Sequence, residues 1–373
     1  MRDGRVLEGV VAAMTEADEI QLHRAGGIAT LTINRPQALN ALTLENYRRF
    51  APALAGWAED PAVRAVVLRG AGDRAFCAGG DVRAVYEAGR GIAGDRSLPA
   101  VFFREEYRLI REIHRFPKPY LAIVDGITMG GGAGISINGA YRIATERTLF
   151  AMPETAIGLF PDVGATRFLN RCPGRIGRYL GLTGARLAAA DALYCGFATH
   201  FVEHDRIAAL SYALAGIAWR SGHEFEQVAE ILGEFAADPG PAPLAALQPA
   251  IDRCFAADAI EPILDALAAA NGDTAEWAAA TRAGLLEKSP TSIKVTLRQL
   301  VDGFGFDLEA ALVLEYRLTQ HFMSAPDFYE GVRARLIDKD QRPRWQPATF
   351  AEVADAAVDA YFAPLGRGEL RFG

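Results

Sequence analysis

Twice in the first half of the chain a short apolar strand-like run feeds a cluster of glycines and then gives way to helix-forming sequence. Residues 65–68 lead into Phe76-Cys77-Ala78-Gly79-Gly80-Asp81, and residues 120–124 lead into Gly126-Ile127-Thr128-Met129-Gly130-Gly131-Gly132-Ala133-Gly134. A repeated unit of strand, glycine loop and helix implies an α/β core on a largely parallel sheet. In such sheets ligands sit outside the C-terminal ends of the strands, which is where both loops fall.

Glycine at these points has a chemical use. A carbonyl under attack becomes an oxyanion, and two backbone N–H groups from separate loops can hold it if no side chain blocks the approach. The second loop continues into Ile135-Ser136-Ile137-Asn138-Gly139-Ala140, a stretch suited to a short buried helix whose first amides sit at a positive dipole end. Either loop alone is more simply a turn or a close-packing point. The acidic residues Glu154 and Asp162, in Met152-Pro153-Glu154 and Pro161-Asp162-Val163-Gly164, give the pair of loops a carboxylate to work with.

Around this centre the pattern is regular. Residues 19–23 and 28–34 alternate apolar and polar about Ala25-Gly26-Gly27, as a β-hairpin does. Thr43 is a suitable N-cap for a helix carrying Leu44, Tyr47, Phe50, Leu54 and Trp57, which stops at Glu59-Asp60-Pro61. A helix is expected at 98–115, and short strands at 142–144, 149–151 and 198–202. The proline-rich stretch 236–243 reads as a linker, so the expected organisation is a leader at 1–17, an α/β core at 18–235 and a helical region at 244–373. Within the last, Asp273 with Glu276 suggests a capping box, Ser289-Pro290 a cap with proline in the first turn, and 308–321 a further helix.

Several function classes are disfavoured. Net charge is −7, and 35 of the 39 basic residues are arginines scattered along the chain, so neither a nucleic-acid groove nor a polybasic membrane patch is indicated. No apolar run approaches the roughly 18 residues that span a bilayer. The four cysteines are far apart, as in a reducing compartment, and the N-terminal stretch reads as a leader to the first strand rather than a signal or transit peptide. His200-Phe201-Val202-Glu203-His204 has the letters of a zinc-binding helix but the composition of a strand, in which residues four apart lie about 13 Å from each other, so no metal is expected. The glycines do not meet the G-x-G-x-x-G spacing, and G-x-x-x-x-G-K-[ST] and G-x-S-x-G are missing. Cys77 is better read as a buried structural thiol than as a nucleophile. The arginine-rich, alanine-rich composition suggests a bacterial cytoplasmic protein.

Taken in order, Ile33-Asn34-Arg35-Pro36 through Leu42, then the two glycine loops, then the segment 153–164, resemble the crotonase (enoyl-CoA hydratase/isomerase) superfamily. Residues 105–107, 288–300 and 327–340 resemble its 3-hydroxyisobutyryl-CoA hydrolase branch. The resemblance implies a spiral of repeated ββα units with a helical C-terminal region, an acyl-CoA substrate of valine breakdown with coenzyme A as part of that substrate, no separate cofactor, and a possible homo-oligomer. By position it gives the N–H groups of Gly80 and Gly131 to the oxyanion hole and makes Glu154 the principal catalytic carboxylate. Asp162 and Glu106 would line the acyl pocket, Asp81 would also bind substrate there, and the backbone around Ala38 and Leu39 would meet the adenine end of CoA.

One departure bears on the reaction. Hydratases of this superfamily carry a first glutamate two residues after the triple glycine, and here that position is Gly134. Hydration of a double bond needs paired acid and base groups, whereas thioester hydrolysis needs a hole, one carboxylate and water. Glu154 would act as nucleophile, through a mixed anhydride, or as general base on water. Asp162 would hold the substrate's hydroxyl, orient water, or cap the following helix; Glu106 would face the pocket or belong to a solvated helix face. The alternatives are an enoyl-CoA hydratase or isomerase of the same fold and, from another class, a non-catalytic acyl-CoA-binding protein.

Overall fold

The computed structural model describes residues 18–372, so the leader assigned to 1–17 lies outside the described residues. Strands β1 (Ile20–Ala25) and β2 (Ile28–Ile33) form the antiparallel hairpin, paired from Ile20 with Ile33 to Ala25 with Ile28. Gly26 and Gly27 turn it at φ +57 and +85, values open to glycine without steric cost. Helix α1 (Leu44–Glu59) begins at Thr43, whose hydroxyl accepts from the Asn46 N–H while the Asn46 side chain accepts from the Thr43 N–H. Its buried positions Tyr47, Phe50, Leu54 and Trp57 recur at helical spacing, which turns one face inward.

Three repeats follow, each giving one strand to each of two sheets. The first supplies β3 (Ala65–Gly70), β4 (Ala75–Cys77), α2 (Val82–Gly89) and α3 (Leu98–His114). The second supplies β5 (Tyr120–Val124), β6 (Ile127–Met129) and α4 (Gly131–Ile137), and the third β7 (Tyr141–Ala144) and β8 (Leu149–Ala151), followed by a 3-10 turn at Glu154–Ile157 and α5 (Ala165–Leu169). Among the described residues the large sheet has the order β1-β2-β3-β5-β7-β9, where β9 is His200–Phe201, and all its pairs after the hairpin are parallel. The small sheet is β4-β6-β8, also parallel. This is the spiral of ββα units.

The small sheet positions the chemistry. The chain leaves β4 at Cys77, β6 at Met129 and β8 at Ala151, so Gly79-Gly80, Gly130-Gly131 and Glu154 all lie just beyond the C-terminal ends of three neighbouring strands.

The central strands β3 and β5 are covered on both faces and are largely apolar, whereas the edge strand β1 is exposed from His23 to Ala25. Ala65, Val67, Leu121 and Ile123 pack with Leu210, Leu214, Val228 and Leu232 of helices that follow α6 (Ile176–Thr183) and α7 (Ala189–Tyr194), namely α8 (Ile207–Ala215) and α9 (Glu224–Phe235). The alternate residues Val66, Leu68, Ala122 and Val124 face the main core. The rest of the chain is helical: α10 (Pro243–Cys254), α11 (Ile260–Ala268), α12 (Ala275–Leu286), α13 (Pro290–Asp302), α14 (Leu308–Phe322), α15 (Pro326–Val332) and α16 (Asp355–Phe362), with a π turn at Arg333–Ile337. Ile293, Leu312 and Phe328 from these helices belong to the same apolar cluster as Leu31 and Phe76, so one core runs through both halves.

Local signals in this region are kept unevenly. The Ser289 hydroxyl accepts from the Ser292 N–H, and Pro290 occupies the first turn of α13. The box expected from Asp273 and Glu276 does not form, because a 3-10 turn at Gly272–Thr274 precedes α12 and moves its N-cap to Thr274. His200 lies in a strand and His204 in a 3-10 turn, where the His204 ring bonds Asp125 and Arg147.

Candidate active site

A cavity of about 550 Å³ opens at the C-terminal ends of β4, β6 and β8, lined by both glycine loops and by Glu106, Glu154 and Asp162. The first loop is pinned by its neighbours: the Ala78 N–H donates to Leu39 O, the Leu42 N–H to Gly79 O and the Asp81 N–H to Leu42 O. The second turns into α4 at Gly130, with φ +49. The loops approach closely. A Cβ on Gly132 would lie 2.2 Å from Cys77 O, a distance only glycine permits.

Two amides converge on the space between them. A Cβ on Gly131 would fall 3.2 Å from the Gly80 nitrogen, and one on Gly79 would lie 3.5 Å from the Gly131 nitrogen. Neither N–H donates to an acceptor among the described residues. Two N–H groups without an acceptor among the described residues, on loops that line the cavity, can donate to an anion bound there.

Glu154 opens the 3-10 turn after β8 and is buried. Its Oε1 stands 3.2 Å from where a Cβ of Gly130 would be, while Oε2 has no hydrogen-bond partner among the described residues. Burial raises its pKa well above the ordinary carboxylate range, the charge of Asp162 adds to this, and Lys288 opposes it. A carboxylate with an unpartnered oxygen, on a residue that lines the cavity, can take a proton or attack an electrophile.

Asp162 and Glu106 are each tied to a tyrosine. The Tyr107 hydroxyl donates to Asp162 Oδ2 at 2.5 Å, and the Tyr47 hydroxyl to Glu106 Oε1 at 2.6 Å. Burial lifts Asp162 to about 6 against the pull of the Tyr107 bond. Burial and the Asp162 charge raise Glu106 well above its usual range. Glu106 therefore does not belong to a solvated face: it is 2 % exposed, on the α3 stripe with Phe102, Phe103 and Ile110, while Glu105 turns outward to Arg48. Nor does the Asp162 side chain cap α5, whose N-cap is Gly164 with no side-chain bond.

Other residues singled out in the sequence stand elsewhere. The Asp81 carboxylate is engaged away from the cavity, accepting from the Ala84 N–H as the N-cap of α2 and pairing with Arg35 at 3.3 Å, which corrects its assignment to the acyl pocket. Ala38 and Leu39 do not line the cavity. Leu39 reaches its rim through the bond from Ala78. Cys77 is buried and its thiol is pushed up to about 12, so it stays protonated and is no nucleophile.

Three cavity residues lacked any sequence signal for this place: Arg186, Lys288 and Arg335. Burial lowers Lys288 to about 8. Gly134 is equally informative, since a Cβ there would meet Val163 Cβ at 2.6 Å and Ile110 Cδ1 at 2.7 Å, leaving no room for a second carboxylate.

Residues 28–362 match the enoyl-CoA hydratase/isomerase family. Among curated relatives, the chain is 47 % identical over 358 residues to the 3-hydroxyisobutyryl-CoA hydrolase, mitochondrial, of Xenopus tropicalis, covering 95 % of this chain and 91 % of that protein. It is 43 % identical over 361 residues to the protein of the same name from Homo sapiens, with the same coverages. Among solved structures, a carnitinyl-CoA dehydratase from Mycobacterium thermoresistibile superposes with a TM-score of 0.87 at 40 % identity over 95 % of this chain and 99 % of that one. An enoyl-CoA hydratase from Rhodobacter sphaeroides 2.4.1 gives 0.84 at 40 % identity over 95 % and 100 %. The mitochondrial designation of the vertebrate relatives overturns the expectation of a bacterial cytoplasmic protein. That expectation rested on arginine and alanine bias, which has no physical link to a compartment.

Proposed function

The chain belongs to the enoyl-CoA hydratase/isomerase family, and from that premise we propose that it is a thioester hydrolase acting on 3-hydroxyisobutyryl-CoA, with water as co-substrate and free CoA and 3-hydroxyisobutyrate as products. The observation that carries the hydrolase reading over hydration is the pairing of two free amides with one unsatisfied carboxylate, Glu154, where the place of a second carboxylate is closed by Val163 and Ile110.

In this reading the thioester oxygen sits between the N–H groups of Gly80 and Gly131. Attack on the carbonyl carbon, by Glu154 itself or by a water whose proton Glu154 accepts, moves the carbonyl electron pair onto that oxygen. Collapse expels CoA as the thiolate. In the anhydride route water then cleaves the acyl-glutamate bond and regenerates Glu154; in the general-base route the acid forms directly. Both routes use the ionised form of Glu154, whose proton affinity desolvation raises. Glu106, on α3 with Phe102 and Phe103, and Asp162, on the loop before α5, serve the 3-hydroxyl of the acyl group. The CoA moiety arrives as part of the substrate, its adenine end assigned to the backbone at Ala38 and Leu39 beside the rim.

The test is release of free CoA, followed with a thiol reagent, from 3-hydroxyisobutyryl-CoA and crotonyl-CoA in parallel. Thiol release from the hydroxyacyl substrate that is lost in Glu154→Gln supports the proposal. A fall in crotonyl absorbance with no thiol release from either substrate rejects it in favour of a hydratase.

A further inference from the structure

We propose that Glu315, on α14, is a positioning residue for Asp162, acting through two backbone amides of the turn that carries it. The proposal rests on the hydrolase reading for the role of Asp162 and goes beyond it in assigning a part to the C-terminal helices.

The turn is an awkward one. Val163 has φ +57 and Gly164 φ +93, two successive residues in the left-handed region, the first of them β-branched. A β-branched residue adopts that conformation only where its surroundings hold it there. The Ala165 N–H donates to Asp162 O at 2.9 Å, closing the turn locally. The remaining restraint comes from far along the chain. Glu315 Oε2 accepts from the Gly164 N–H at 2.7 Å and Oε1 from the Thr166 N–H at 2.8 Å. From α13, the Gln299 side-chain amide donates to Pro161 O and to Thr166 Oγ1, both at 2.8 Å. On its other side Asp162 meets Tyr107 of α3.

Glu315 is wholly buried, makes no ion pair among the described residues and does not line the cavity. Burial of a carboxylate without a cation is costly, and two amide bonds offset that cost in one geometry only. The two acceptors explain why a carboxylate stands here. A glutamine of the same shape would turn its NH₂ toward one of the two N–H donors and release that end of the turn. With the turn released, Val163 relaxes toward negative φ, and the Asp162 carboxylate moves from Tyr107.

The experiment is a double-mutant cycle in the full chain. Turnover of 3-hydroxyisobutyryl-CoA is measured for wild type, Glu315→Gln, Asp162→Asn and the double variant. The expected result is a fall in kcat on the order of tenfold or more for Glu315→Gln, with a smaller change in KM, and less than about twofold further loss when it is added to Asp162→Asn. An equal loss in both backgrounds overturns the proposal, because it describes a residue that serves the fold alone; so does an unchanged kcat. The same four proteins are titrated calorimetrically with a non-hydrolysable thioether analogue of the acyl-CoA, a readout that needs no turnover. Absence of thiol release by wild type would therefore refute the hydrolase reading while the binding cycle still decides on Glu315 by the same criterion of additivity. Should Glu315→Gln fail to fold, Glu315→Asp, which keeps both oxygens on a shorter stem, is taken through the same cycle.

Discussion

Gly134 stands against Val163 so closely that a Cβ on the glycine would lie 2.6 Å from the Cβ of the valine. The contact is between a helix that begins at the second glycine loop and the turn that carries Asp162, and it occupies the volume in which a second catalytic carboxylate would have to stand. Gly134→Glu therefore does not confer hydration. The expected outcome is a destabilised protein, by about 1–3 kcal/mol or more from overpacking, with no gain in crotonyl-CoA hydration. Thermal denaturation alongside the crotonyl absorbance assay checks both parts.

Gly131→Ala tests the anion site from the other side. The added methyl would lie 2.5 Å from Glu106 Oε1 and 3.2 Å from the Gly80 nitrogen, inside the space assigned to the thioester oxygen. A loss of kcat of roughly 10²–10³-fold is expected, the size associated with one oxyanion donor. Circular dichroism separates this from unfolding.

Asp162 has a definite pH signature. Its folded pKa, about 6, lies above the ordinary value of 3.8, chiefly through burial, so the folded state binds the proton more tightly than the unfolded chain does. Its contribution to stability is fully present below the unfolded value and is lost as pH rises through about 6, to the extent of roughly 3 kcal/mol. Asp162→Asn removes this dependence. Its Tm should exceed that of wild type near pH 8, and the difference should close toward pH 4.

Tyr47→Phe leaves the buried Glu106 carboxylate without its phenolic donor. The expected cost is about 1–3 kcal/mol of stability when Glu106 is ionised, since the packing of the ring is kept and only the hydroxyl is lost. The same variant raises the proton affinity of Glu106, because the Tyr47 bond is what holds it down. Urea denaturation across the pH range reports both, with the deficit shrinking as pH falls and Glu106 takes up its proton.

The elements with local causes were legible. Alternation about Gly26-Gly27 and a threonine cap ahead of helix-spaced apolar residues are settled within a few neighbouring positions, and β1, β2 and α1 follow them. The glycine loops were legible for a related reason, because only glycine tolerates the approach of Gly132 to Cys77. What could not be read was which side of a charged helix faces inward. Glu105 and Glu106 are adjacent and chemically alike, and the packing of α3 on α1 decides that one meets Arg48 and the other Tyr47. Asp81 shows the reverse error: an aspartate directly before Val82-Arg83-Ala84 is an N-cap pattern in its own right, and its nearness in sequence to the oxyanion glycine drew it into the site. Lys288, Arg335 and Glu315 reach the site or its supports from the last third of the chain, a juxtaposition that only the folded core creates.

The helices that close over the Asp162 turn are among the last to be synthesised. When β8 and the Glu154 turn have left the ribosome, α13 and α14 do not yet exist, and the segment 161–166 lacks Gln299 and Glu315 to hold its shape. The nascent chain thus carries its glycine loops and its glutamate before the contacts that hold the Asp162 turn exist. If the Asp162 turn serves the reaction as proposed, thioester cleavage requires α13 and α14, and a fragment ending between α9 and α10 is expected to be inert.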